Sequence, residues 1–306
     1  MWKWPDPETG FAREWGAAAV LITIELLLLK SSGVQFVVTP GAYCVAPLLW
    51  MAARITRGRR SLFLDFMALT IVTDLAIRVA TYMAMATGGP LWDAKLAAAD
   101  RALGFDWKAW FDYLVAHPML GAPLGFFYYR IGLLALLLVV LLCRRGDHDN
   151  LRRMWRLLFT AGVLTALIGA IAPALGPFKT WHLEQCCGTF IYEMEKLRSG
   201  SGSFPLGSLM GVISYPSFHT TMALALVQGF RSLGRIGAAA GQLNLFLLLG
   251  VPAFGGHYLM DVFAGAGVFA AALVIVKAME SASAANASPE SAAACGGAYS
   301  DVSRFR

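Results

Sequence analysis

Long apolar runs alternate along the chain with short charged connections, and the runs set its architecture. A membrane-crossing helix needs about 20 mostly apolar residues. Eight stretches approach that length: 12–29, 34–53, 62–87, 121–143, 157–174, 214–230, 236–254 and 258–277. The first reads as an anchor rather than a cleaved leader. Asp6, Glu8 and Glu14 precede its apolar core, and no A-x-A-like site comes before Lys30. The pattern predicts an all-α polytopic membrane protein with two spans in residues 1–60 and a six-span block over 61–279. The Ala/Ser/Gly-rich stretch 280–306 has no apolar period and reads as a disordered cytoplasmic tail.

Composition narrows the classes. Of 306 residues, 58% are hydrophobic and 14% charged, with a mean hydropathy of +0.60. A soluble domain carries roughly 25% charged residues, so that class is excluded, together with disordered, collagen-like and disulfide-scaffold chains. The 5 cysteines form no staple pattern, and a bridge between adjacent Cys186 and Cys187 is not expected, because neighbouring positions strain it. The net charge of +6 bears on topology and gives no sign of nucleic acid.

Orientation follows from where the cations sit. Arg54, Arg57, Arg59 and Arg60, then Arg144, Arg145, Arg152, Arg153 and Arg156, then Arg231 and Arg235 fall on alternate connections. Cations gather on the cytoplasmic side of spans. Both termini are therefore expected inside, in a bacterial inner membrane, with the connections 88–120 and 175–213 outside. The first interleaves Trp107, Trp110 and Phe111 with charges. It reads as one or two amphipathic helices, either lying on the outer leaflet or packed as a lid. The second is too long for a simple connector, which marks it for function.

Only 5 histidines occur, and two stand out by context. His219 follows Ser214-Tyr215-Pro216-Ser217-Phe218 at the outer start of the sixth span, where Ser217 reads as a helix cap. His257 opens the eighth span in Gly256-His257-Tyr258-Leu259-Met260-Asp261. His257 and Asp261 are i and i+4, so a helix puts them on one face. An aspartate within reach of a histidine fixes its tautomer. The intervening span returns the chain, so both histidines are expected at one membrane face. A structural His–Asp pair is the plain alternative, although acids inside spans are costly and usually functional. A metal site is not expected, since no HExxH motif or further His/Cys cluster accompanies them.

These residues resemble the type 2 phosphatidic acid phosphatase superfamily, over about residues 62–278. The nearest likeness is to the inositol phosphorylceramide synthase branch. It rests on Asp93, Asp100 and Gly104-Phe105-Asp106-Trp107, and on Leu197-Arg198-Ser199-Gly200. The resemblance implies a six-helix phosphatidic acid phosphatase-type core, here preceded by two extra transmembrane helices. It implies His257 as a nucleophile forming a phosphohistidine, Asp261 orienting it, and His219 protonating the leaving oxygen. Ser217 and nearby amides would hold phosphate oxygens. The superfamily's K-x6-R-P stretch has no counterpart near Ile171–Lys179, and its third-motif Ser-Arg falls on Gly250 and Val251. Other cations would have to meet the phosphate charge. Arg78 and Arg130 are candidates, each about nine residues into its span, roughly 13 Å deep at ~1.5 Å per residue. Lys179 and Arg198 are the candidates in the outer loop.

The expected function is transfer of a phosphoryl headgroup from a membrane phospholipid donor to a lipid hydroxyl, with no cofactor. Transfer to water would make it a lipid phosphate phosphatase. A non-catalytic lipid transporter or binding protein is the rival from another class. The oligomeric state is left open, since Ala264-Gly265-Ala266-Gly267 suits a helix interface but equally suits core packing.

Overall fold

A computed structural model describes residues 11–38, 44–200 and 202–286. The chain folds almost entirely into helices. α1 (Ala12–Ser32) leads into a short strand β1 (Gln35–Val37), and α2 (Val45–Ile55) and α3 (Arg59–Met85) follow. Then come α4 (Asp93–Ala102), α5 (Trp107–Ala116), α6 (Pro118–Arg145) and α7 (His148–Ile171). The next connection carries the short helices α8 (Pro177–Thr180), α9 (Glu184–Cys187) and α10 (Phe190–Arg198), and strand β2 (Ser203–Pro205). α11 (Phe218–Arg231), α12 (Arg235–Leu243), α13 (Phe246–Gly255) and α14 (Leu259–Asn286) complete the bundle.

Local chemistry sets the boundaries. Pro118 opens α6, and Gly146 closes it in the left-handed conformation at φ 68°. Asp147 caps α7 by accepting the Asn150 N–H at 3.2 Å, and Asp106 caps α5 through the Ala109 N–H at 3.0 Å.

Among the described residues five helices are long and apolar enough to cross a membrane: Ala12–Ser32, Pro118–Arg145, His148–Ile171, the α12–α13 pair over Arg235–Gly255, and Leu259–Ser283. The fold is thus that of a polytopic helical membrane protein. Large apolar side chains stand exposed on the outer surfaces of these helices, Leu27, Leu133 and Val274 among them, as a lipid-facing surface requires.

The structure bears out a polytopic helical protein but does not confirm the exact division into two plus six regular spans. The stretch read as a second span, 34–53, forms β1 and then the 11-residue α2, about 16 Å of helix. That is less than one regular spanning helix, although it leads from the end that holds β1 to the end where Arg54 pairs with Asp65. α3 is 27 residues long but carries Asp65, Asp74 and Arg78, which lower its hydropathy. α11 has 14 residues and starts at Phe218, one residue before the histidine. At the other end α14 runs on to Asn286, into the stretch expected as a disordered tail; residues 287–306 lie outside the described residues.

The helices pack around one apolar centre that includes Phe66, Leu69, Leu138, Leu142, Trp155, Phe230 and Leu247. Ion pairs tie the basic end together: Arg54–Asp65 at 3.1 Å, Arg156–Glu14 at 2.6 Å and Arg153–Glu280 at 2.8 Å. Through Glu14, α1 is bound to α7 at this end. At the opposite end β1 pairs in parallel with β2, Phe36 beside Phe204. A second apolar cluster there (Tyr82, Met85, Trp107, Phe178, Ile191, Met194) joins α3 to both long connections. The histidines lie at this end.

Candidate active site

α13 stops at Gly256, whose left-handed backbone (φ 60°) turns the chain into α14. A Cβ at Gly256 would also run into the Phe178 ring, so two constraints select glycine there. The turn sets His257 one helical turn before Asp261, and His257 Nδ1 lies 3.2 Å from Asp261 Oδ2. Asp261 is fully buried, and the same oxygen accepts the Ser214 hydroxyl and the Tyr258 N–H, each at 3.0 Å. A carboxylate on Nδ1 keeps that ring proton in place and leaves the lone pair on Nε2.

His219 sits in the first turn of α11. Ser217 caps this helix by accepting the Thr220 N–H at 3.4 Å, and its own N–H donates to the Asp261 carbonyl at 3.0 Å. α11 and α14 meet here at close range. Thr221 donates to the Gly265 carbonyl at 2.8 Å, and any side chain at Gly265 would collide with the Ser217 carbonyl. This crossing brings the two histidines to one place, their ring centroids 6.4 Å apart and inclined at 59°.

Tyr128 on α6 completes the arrangement. Its ring stacks on His219 with centroids 4.3 Å apart, and its hydroxyl lies 3.4 Å from His219 Nδ1. A Cβ on Gly255 would stand 2.6 Å from the Tyr128 hydroxyl and 3.1 Å from His257 Nε2. Glycine here keeps a side chain off both atoms. Tyr128 is not among the residues singled out by sequence reasoning. The available signal was the row Gly121, Gly125, Tyr128 at i, i+4, i+7, which faces the core of the bundle.

The aspartates of the 88–120 connection hold the site's frame. Asp93 and Asp100 lie two turns apart on α4. Asp93 accepts the N–H groups of Leu175 (3.0 Å) and Gly176 (2.7 Å) and the Tyr258 hydroxyl (3.2 Å). Asp100, buried, accepts those of Leu259 (2.8 Å) and Met260 (3.0 Å) and so caps α14. Burial pushes the Asp100 carboxyl above its ordinary value, and the two amide bonds pull it back. Trp107, 1% exposed, donates its indole N–H to the Pro252 carbonyl at 2.9 Å. α4 and α5 are thus the packed alternative of the two readings; they lie against the bundle, not free on a leaflet.

The cations fare differently from expectation. Lys179 pairs with Glu195 at 2.8 Å and Glu184 at 3.5 Å. The bond to Glu195 raises its ammonium above the usual range, partly opposed by desolvation. Arg198 donates to the Gly89 carbonyl at 2.8 Å and so clamps the two outer connections together. Arg78 is held by Asp74 at 2.7 Å and donates to the Leu209 carbonyl at 2.8 Å, fixing the chain that leads to α11. Arg130 is exposed, two residues from Tyr128, and so lies roughly 200° around α6 from the face that meets His219. The structure brings together His257, Asp261, His219 and Ser217. It does not bring Arg130 to them, and Arg78, Lys179 and Arg198 are bonded to protein groups. Cys186 and Cys187 are joined to each other in a disulfide, contrary to expectation.

Among the described residues no three or more His, Cys, Asp or Glu side chains cluster as metal ligands. The sequence profile of the PAP2 superfamily matches residues 94–275, more than half of the chain, and the matched region contains Tyr128, His219, His257 and Asp261. No curated protein and no solved structure matches the chain.

Proposed function

The chain belongs to the PAP2 superfamily, and from that premise we propose that it is a membrane enzyme cleaving phosphate esters of lipids through His257. The observation that carries this reading is the pairing of an Asp261-held imidazole with a second histidine whose ring is 6.4 Å away. That gap suits a phosphoryl group, with its phosphorus about 3–3.5 Å from the attacking nitrogen and its leaving oxygen in hydrogen-bond reach of His219.

In the proposed reaction the Nε2 lone pair of His257 attacks phosphorus. The N–P bond forms as the P–O bond to the lipid breaks, and the imidazolium of His219 gives its proton to the departing oxygen. Asp261 accepts the Nδ1–H bond throughout and offsets the charge that develops on the ring. A water molecule then attacks phosphohistidine, passing a proton to His219, and inorganic phosphate leaves with His257 restored. Tyr128 holds the His219 ring against its face. No step calls for a metal, because the proton from His219 meets the charge on the leaving oxygen. The alternating basic connections support a site at the outer face, with both termini in the cytoplasm.

Hydrolysis is preferred here to the inositol phosphorylceramide synthase type of transfer. The aspartates that carry that likeness are occupied with backbone amides, so their presence is accounted for without any particular headgroup. The test is phosphate release from short-chain phosphatidic acid by purified protein in detergent with EDTA. His257→Ala is expected to lower turnover at least about 10³-fold, and His219→Ala about 10²–10⁴-fold. Turnover that survives His257→Ala rejects the covalent route.

A further inference from the structure

The proposed chemistry uses nothing from α1, and the family match begins only at residue 94. Yet α1 carries an acid inside its apolar run. Glu25 is 8% exposed, and its Oε1 has no hydrogen-bond partner among the described residues. It lies seven residues before the helix end at Ser32, about 10 Å along the axis. An ionisable group at that depth is costly unless something meets it.

Glu25 lines two cavities. One, of about 510 Å³, lies between α1, α3 and α7, walled by Leu28, Met83 and Leu167 and bordered by Ser31, Ser32 and Thr87. The other, of about 350 Å³, lies between α1, α3 and β1 against Val79 and Phe36. Neither has a lysine or arginine in its lining. The hydroxyls of Ser31, Ser32 and Thr87 donate to the carbonyls of Leu28, Leu29 and Ala84, each at 2.8 Å. What these groups offer the cavity is oxygen lone pairs, and Glu25 adds a carboxyl oxygen. The walls therefore suit an acyl chain, the polar atoms call for a hydrogen-bond donor, and nothing there compensates a phosphate.

We infer that this groove binds a neutral lipid with a free hydroxyl, its chains along α3 and α7 and its hydroxyl donating to Glu25. The groove is bordered by Thr87, just past the histidine end of α3. Thr87 also reaches the Ala170 carbonyl at 3.3 Å, and six residues on, Asp93 holds Gly176. A lipid alcohol bound there belongs to the class that phosphate cleavage releases, or that could accept the phosphoryl group in place of water. That role rests on the proposed phosphoryl chemistry; the binding does not.

The test uses the full chain in lipid nanodiscs with photoactivatable, clickable diacylglycerol. Phosphatidic acid and triacylglycerol probes with the same chains serve as comparisons, and labelled peptides are mapped by mass spectrometry. The three are compared on His257→Ala, so that phosphatidic acid is not cleaved to diacylglycerol during labelling. Diacylglycerol is expected to label α1, α3 and α7 at the groove. Phosphatidic acid, which brings an unmet charge, and triacylglycerol, which lacks the hydroxyl, label it less by about tenfold, the loss of one good hydrogen bond. Glu25→Leu lowers the diacylglycerol signal about tenfold at subsaturating probe. Glu25→Gln, which keeps a carbonyl acceptor, lowers it less. His257→Ala leaves it unchanged while abolishing turnover, so failure of the catalytic reading and failure of the groove give different results. Because Glu25→Leu removes an acid that is unmet when no lipid alcohol is bound, its melting temperature in detergent without diacylglycerol should equal or exceed wild type. Equal labelling by the three probes, labelling indifferent to Glu25→Leu, or a melting temperature lowered by that change overturns the inference.

Discussion

Asp100→Ala tests the claim that α4 holds the histidine frame. The carboxylate is 2% exposed and accepts two N–H groups at the first residues of α14, at 2.8 and 3.0 Å. Alanine leaves both donors without a partner in a buried place. Each orphaned donor costs about 1–3 kcal/mol, whereas loss of a solvent-accessible cap costs only about 0.5–2 kcal/mol in all. Some relaxation toward water is available at a helix end, so the expected loss is about 2–4 kcal/mol. Thermal unfolding in detergent should show a fall of roughly 5–10 °C. The same amides lie one and two residues from Tyr258 and precede Asp261, so a released helix end shifts the His257–Asp261 pair. A displacement near 1 Å is enough to cost about 10² in turnover. Asp100→Asn keeps one acceptor oxygen and should recover part of both losses. If Asp100→Ala melts and turns over phosphatidic acid as wild type does, the aspartate is not holding α14 and the account of the 88–120 connection fails.

Gly265→Ala should lower kcat about 10²-fold and stability by about 1–3 kcal/mol, because its Cβ collides with the Ser217 carbonyl and lies 2.9 Å from Thr220 Cβ. Gly267→Ala, where nothing lies within 4 Å, is the control and should match wild type in both assays. Tyr128→Phe keeps the stack on His219 and should cost less than about tenfold in turnover. Tyr128→Ala removes the ring and should cost about 10²-fold, so equal losses in the two variants would show that the hydroxyl matters more than the stack. Lys179→Ala should change turnover by less than about threefold, since an exposed ion pair contributes at most about 1 kcal/mol. A large loss that leaves the melting temperature unchanged would return Lys179 to the list of phosphate ligands.

The site was legible where spacing and span parity speak. His257 and Asp261 at i and i+4 do meet, although His257 lies two residues before α14 and the turn at its start, not the helix itself, brings them together. An even number of crossings returns His219 to the same end. Long-range contacts left no mark that periodicity can read. Gln35–Val37 is apolar enough to extend a span, but it pairs instead with Ser203–Pro205, a partner far along the chain. Hydropathy alone therefore read a strand and a short helix as one regular spanning helix. The aspartates of α4 were noticed as a pattern, yet their task is to bind main-chain N–H groups, which have no residue type and so no sequence signature. The same holds for the cations: Arg78 and Arg198 were flagged for their charge, and each is bonded to a carbonyl of another segment.

The strand pairing also orders the protein's assembly. Synthesis delivers β1 directly after α1, but its partner β2 is made only after α2 to α10. Until then the backbone N–H and C=O groups of Gln35–Val37 have nothing of their own chain to bind, and contacts this distant in sequence close late. α1, with the groove it forms against α3 and α7, is secured at its basic end by Glu14 and Arg156 well before its other end is latched. An early intermediate is thus hinged at one membrane face and open at the other. A ribosome-stalled chain ending before residue 203 should leave the 11–38 segment accessible to protease at the histidine end, and the completed chain should protect it.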